Sequence, residues 1–311
     1  MKKEQVAKEV PGNYTDRMKK IQFTAMVAVV LLFTAALAAG AAPLEVVVSI
    51  LPQKWLAEQI GDKFVRVHVL VDKGQEPHNF SPTPKQIATL SRASLYLTMD
   101  MEFEREIIRR LKSSAPGLQF INSVAGIHKI ALSGVGQEKN GSVVADKALD
   151  PHVWLDPDNL LRMAEVMAAA MGEADPSHKE NYDRNLARVS GQIDRLKSDL
   201  DASLAPCRET TFFVFHPAFG YFAHAFGMRQ KAVEVEGKSP GPKQLRALIR
   251  KARAEHARAI FVQPQFDPRS AGVVAQAIGG KVVSIDPLAE DVMGNLRIMA
   301  EKIGSVCNGQ D

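Results

Sequence analysis

His78, His152 and His216 each sit beside a proline, in the segments EPHNFSPTP (76–84), DPHVWLDP (150–157) and HPAFGY (216–221), and Asp286 sits in SIDPL (284–288). A neighbouring proline limits backbone freedom and suits a preset coordination geometry. Three imidazoles and one carboxylate form a closed four-coordinate donor set that suits Zn2+. Because it is the neutral imidazole that binds, protons compete with the ion as pH falls below about 6.5. Spacing alone leaves another reading open, in which these are unrelated turn histidines and a helix-capping aspartate. His68, His128, His178, His224 and His256 lie in strand, helical or polar surroundings that need no ion to explain them.

The elements around these residues decide whether they can meet. Short β-branched runs alternate with helical patterns, which predicts α/β lobes with mainly parallel sheets. Strands are expected at Leu44–Ile50, Val65–Val71, Leu95–Met99 and Gln119–Asn122, with helices opened by Pro52 and Thr83-Pro84 and another over Phe103–Leu111. The pattern restarts with strands at Thr211–Phe215, Gln230–Val235, Ala259–Val262 and Lys281–Ile285. Helices follow near Ala218–Phe226, Pro242–His256, Ser270–Ile278 and Leu296–Val306. Between the halves, Leu186, Val189, Ile193, Leu196, Leu200 and Leu204 recur at helical spacing between Pro176 and Pro206, predicting one long backbone helix. Ligands of open α/β sheets bind beyond the carboxyl ends of the strands. His78 follows a strand of the first half, His152 precedes a helix, and His216 and Asp286 follow strands of the second half. Two residues from each lobe would then face one interlobe cleft. The expected division is a leader over 1–42, an N-terminal lobe over 43–175, a linking helix over 176–205 and a C-terminal lobe over 206–311. Ser133–Asp146, rich in glycine and polar residues, reads as a surface loop.

The chain has 311 residues, 39 Lys plus Arg and 35 Asp plus Glu. Residues 1–38 carry six basic and three acidic side chains. The remainder, with 33 basic against 32 acidic, is nearly neutral and offers no basic surface for nucleic acid. From Ile21 to Ala42 there is no charge for 22 residues, after Lys19-Lys20 and ending in Ala-x-Ala sites. That pattern reads as a cleaved secretory signal peptide; an uncleaved anchor is the competing reading. Met18, directly before the two lysines, is a second candidate start. No Cys lies near the cleavage region, which argues against a lipid-modified terminus, and export to a bacterial periplasm is expected. There Cys207 and Cys307 suit a disulfide, with two small buried thiols as the alternative.

Taken in order, EPHNFSPTPKQ (76–86), DPHVWLDP (150–157), FHPAFGYFA (215–223), EGKSPGPKQL (236–245), FVQPQF (261–266) and SIDPLAED (284–291) resemble the metal-specific (cluster A-I) solute-binding proteins of bacterial ABC transporters, which include periplasmic zinc- and manganese-binding proteins. The resemblance runs from about Leu44 to Val306 and implies two βα lobes joined by one long helix. It also implies His78, His152, His216 and Asp286 as metal ligands. Manganese-type members typically place Glu at the third position; His216 there favours zinc. A manganese, iron or broad-specificity divalent receptor is the alternative. Two features depart from the family pattern: Glu76 replaces the usual Asp, and the stretch 128–149 lacks the histidine-rich run of many zinc-specific relatives. The implied function is capture of Zn2+, as transported ligand, and delivery to a membrane permease driven by a separate ATPase. The chain itself has no phosphate-binding Gly-x-x-x-x-Gly-Lys-Ser/Thr loop and is expected to act as a monomer. A zinc hydrolase is the weaker reading, because four protein ligands leave no position for water and His-Glu-x-x-His is absent. Asp150 or Asp156 is the expected partner orienting His152. Some relatives are also called adhesins, and nothing in this sequence speaks for or against that role.

Overall fold

The computed structural model describes residues 18–19, 42–132, 149–234 and 241–309. Nearly all of the expected leader, the stretch Ser133–Asp146 and the end of the predicted strand at Val235 lie outside the described residues. Residues Pro43–Asp311 form one compact unit. Among the described residues no helix is long and apolar enough to cross a membrane.

The first lobe runs β1 (Leu44–Val48), α1 (Leu51–Gly61), β2 (Val65–Val69), α2 (Pro84–Leu90), β3 (Leu95–Thr98), α3 (Glu102–Ser114) and β4 (Gln119–Asn122). Helices α4 (Pro157–Ala174) and α5 (Lys179–Leu204) lead to the second lobe. There β5 (Thr211–Val214), α6 (Gly220–Ala225), β6 (Arg229–Ala232), α7 (Pro242–Ala254), β7 (Ala259–Val262), α8 (Pro268–Ile278), β8 (Lys281–Ser284) and α9 (Val292–Cys307) follow. The described strands form two four-stranded sheets, ordered β2-β1-β3-β4 and β6-β5-β7-β8. Every pairing is parallel, with Val46 opposite both Val67 and Leu95, and Phe213 opposite Ile260. Central strands of parallel sheets are covered on both faces, so they read as continuous apolar runs. Accordingly Val46–Val48, Leu95–Leu97 and Ile260 are fully buried.

Several apolar runs extend past the ends of their strands. β1 stops at Val48 rather than Ile50, β2 at Val69 rather than Val71, β5 at Val214 rather than Phe215, and β8 at Ser284 rather than Ile285. The next residues remain apolar because they are still buried: Ile50, Val71, Phe215 and Ile285 are at most 5% exposed. The amides of Val71, Phe215 and Ile285 continue the sheet pattern, donating to Ser49 O, Phe261 O and Val262 O.

The long helix is α5, whose 26 residues span about 39 Å at 1.5 Å per residue. Its stripe of Val189, Ile193, Leu196, Leu200 and Leu204 is buried and belongs to one hydrophobic cluster that includes Trp154, Met167, Phe222 and Leu296. One core therefore serves both lobes. Further ties reinforce it: the Trp154 indole N–H donates to Pro287 O at 2.7 Å, and Lys54 pairs with Glu290. Cys207 and Cys307 form a disulfide with Cα atoms 5.7 Å apart, fastening the end of α9 beside the end of α5.

The first turn expected of the long helix, Pro176–His178, is a 3-10 turn. The Asp175 carboxylate organises it, accepting from Ser177 Oγ, from His178 Nδ1 at 2.6 Å and from the Tyr182 hydroxyl at 2.8 Å. His178 stacks on Phe64 with centroids 4.1 Å apart, so its ring is held by packing as well as by Asp175. Burial pushes the Asp175 carboxyl up, but the three donors outweigh it and hold the group below the usual range. A depressed carboxyl contributes stability that is present above its unfolded pKa of about 3.9 and lost as pH falls through the folded value. Asp175→Asn should therefore cost about 1 kcal/mol at pH 7 and progressively less near pH 3. Urea unfolding at both pH values checks this; a gap that is constant or widens with acid would count against it.

Candidate metal centre

A buried network ties the strand ends of the first lobe together behind the cleft. At the carboxyl end of β1, Ser49 N donates to Gln53 Oε1 at 2.8 Å, and Gln53 Nε2 donates to Leu97 O and Ser123 Oγ, both at 2.9 Å. Glu104, 1% exposed, accepts from Ser49 Oγ, from Met99 N at 2.8 Å and from Met101 N at 2.9 Å. Burial pushes its carboxyl up, against the pull of these donors. The network ties the ends of β1, β3 and β4 to the start of α3, giving the cleft a rigid wall.

On this frame His78, His152 and His216 converge. Each offers a ring nitrogen, and these atoms all lie within 4.8 Å of one another. Ring centroids are 5.8 Å apart for His78–His152, 5.2 Å for His78–His216 and 5.3 Å for His152–His216. His78 sits on a 3-10 turn, Pro77–Asn79, capped by Glu76, whose carboxylate accepts from His78 N and Asn79 N, both at 2.9 Å. Withdrawal from water inside the cleft pushes the His78 imidazolium pKa down, partly offset by the Glu76 carboxylate. Its side chain is 46% exposed.

The other two rings are fixed. His152, 5% exposed, presents Nδ1 to Asp150 Oδ1 at 2.7 Å, and the same oxygen accepts His152 N at 2.9 Å. Asp156, the other expected partner, instead caps α4 by accepting from Asp158 N at 2.8 Å. Asp150 is fully buried; its Oδ2 has no hydrogen-bond partner among the described residues and faces Gly220. A Cβ at position 220 would stand 2.5 Å from that oxygen, so the close approach requires glycine. The Tyr221 hydroxyl donates to Asp150 O at 3.2 Å and accepts from Ile130 N at 3.1 Å, so the second lobe also grips the segment carrying His152.

His216, 8% exposed, presents Nδ1 to Glu234 Oε1 at 2.7 Å and stacks on Phe266 with centroids 5.0 Å apart. Fully buried Gln263 clamps its backbone, donating to His216 O at 2.7 Å and accepting from His216 N at 3.2 Å. Sequence reasoning missed Glu234, which fell inside a predicted strand. The strand actually ends at Ala232, and Glu234 lies two residues beyond, level with His216 two residues beyond the neighbouring Val214. A carboxylate at that distance past the strand beside β5 was the available signal.

Asp286 follows β8 as expected, but its carboxylate stands outside the three-histidine group. Its Oδ1 accepts from Gln265 Nε2 and Leu288 N, both at 3.0 Å. A cleft of about 540 Å³ opens onto the three rings. Carboxylates on Nδ1 of His152 and His216 select the tautomer with Nδ1 protonated and the Nε2 lone pair free, which orients imidazoles to receive a cation.

Two parallel-sheet lobes on a shared helical core, with three inward-facing histidines between them, define a metal-receptor type of solute-binding protein. The profile described as "ZnuA: Zinc-uptake complex component A periplasmic" matches residues 46–304, and the chain belongs to that family. It is similar to a crystal structure of ZnuA (34% identical, TM-score 0.77, covering 86% of this chain and 100% of that one). A zinc-bound ZnuA deletion mutant lacking 138–173 is also 34% identical, with TM-score 0.75 and 85% and 98% coverage. A putative metal-binding protein of Chlamydia trachomatis is 26% identical over 257 residues, 82% of this chain and 89% of that protein.

Proposed function

We propose that this protein captures Zn2+ outside the cytoplasmic membrane and delivers it to an integral-membrane permease, with a separate cytoplasmic ATPase supplying the work. Residues 1–42 act as a cleaved export signal, and the remainder operates in the periplasm. The observation that carries the reading is the convergence of His78, His152 and His216, two of them locked by buried carboxylates. Membership of the zinc-uptake family supports the choice of ion.

In this reading His152 and His216 form the fixed half of the site and meet the ion first. Zinc–imidazole bonds of about 2.0–2.1 Å require the three rings to settle around the ion, which takes some movement of a ring. The exposed His78 is the ring free to make that movement, and Asp286 supplies the fourth ligand by turning from Gln265. Asp150 and Glu234 stand behind the rings of His152 and His216, where carboxylates favour a bound cation. With a shared core and Trp154 tied to Pro287, capture and release proceed by local movement rather than wide opening of the lobes.

Competitive equilibrium binding on the chelator-stripped protein, with zinc and manganese at equal activity, tests the proposal. One tight zinc equivalent that manganese fails to displace is expected. Preferential manganese binding would replace it with the broader divalent-metal reading.

A further inference from the structure

The cleft in front of the histidines is far larger than one ion needs. Its volume of about 540 Å³ lies in the range of small-molecule sites, whereas a water molecule takes only about 30 Å³. The lining also has the composition of such a site. Phe103, Trp154, Phe266 and Leu288 supply apolar wall, and Arg105 and Lys129 supply positive charge. Lys129 is engaged by Asp100. Arg105 has no acidic partner among the described residues, although Arg109 and Arg110 on the same helix both pair with Glu106. Finally, the Asp286 carboxylate is turned to Gln265 and Leu288 and stands outside the three-imidazole group, while all three rings line this cleft, so a donor entering the cleft can reach an ion they hold.

We propose that the cleft admits zinc together with a small carboxylate chelator. One donor of the chelator holds the fourth coordination position in place of Asp286, and a free carboxylate of the chelator faces Arg105. No bond other than metal–ligand bonds forms or breaks: the chelator leaves as the anion that entered, and the ion's charge is unchanged. Zinc could then be taken from a complexed pool without first being released to water. This rests on the zinc-receptor reading of the three histidines.

Equilibrium dialysis of the chelator-stripped full chain against radiolabelled citrate and, separately, radiolabelled L-histidine, each with and without one equivalent of zinc, tests it. At least one label is expected to be retained near one per protein, only when zinc is present. Arg105→Glu should lower that retention at least tenfold while zinc alone still binds one equivalent. Binding of one zinc with neither label retained overturns the chelator site and leaves the zinc reading standing. Retention without zinc, or undiminished in Arg105→Glu, also overturns it. Failure to bind zinc at all overturns the receptor reading and this inference together.

Discussion

Replacing His216 with alanine should weaken zinc binding by more than a hundredfold. Structural zinc sites bind with about 10–16 kcal/mol spread over their ligands, so losing one of three imidazoles costs about 3 kcal/mol or more. The substitution also strands Glu234, 5% exposed, without the ring it accepts from, and so lowers the stability of the metal-free protein as well. His78→Ala separates the two effects. Its half-exposed ring has no buried partner to orphan, so its loss should reduce affinity to a similar degree while leaving the melting temperature of the metal-free protein nearly unchanged. Titration against a competing chromophoric chelator measures both. Affinity within threefold of the parent in either variant would remove that histidine from the ligand set.

The second large effect should come from residues that never touch the ion. In Asp150→Asn and Glu234→Gln the shape is kept and the charge is lost. An amide can turn its NH2 toward Nδ1 and stabilise the wrong tautomer, with a proton on the nitrogen that should face the metal. Each variant should lose about 10–100-fold in zinc affinity. The melting temperature of the metal-free protein should not fall, because each change removes a buried charge from a cleft that already holds another. A merely structural carboxylate would show the opposite: affinity retained and stability lost.

The parts of the site legible in the sequence are those governed by local rules. Proline beside each histidine picked out His78, His152 and His216, with position past a strand end adding to the case for His78 and His216, and the structure brings the three together. The alternation of apolar runs likewise foretold two parallel sheets, and the Leu186–Leu204 spacing foretold α5. The parts that were not legible depend on contacts between distant segments. Glu234 meets His216 only because β6 pairs in register with β5. Asp150 and Asp156 both flank His152 in sequence, and only the helix-capping geometry of Asp156 separates their roles. Asp286 lies where expected, but its rotamer is set by Gln265, 21 residues away along the chain. The turn before α5 reflects the same limit, since the periodicity carries no sign of the Asp175 network that tightens it.

The single core beneath both lobes also bears on recognition. If the outline of the protein scarcely changes when the ion arrives, a partner surface cannot tell full from empty by overall shape. On the proposed function it must read a small feature at the rim of the cleft, and the His78 turn, which carries the half-exposed ring of the three, is the feature with room to move. A receptor built this way signals occupancy through one short turn rather than through its silhouette, so changes in the Glu76–Phe80 segment that leave affinity intact can still blind a partner to the cargo.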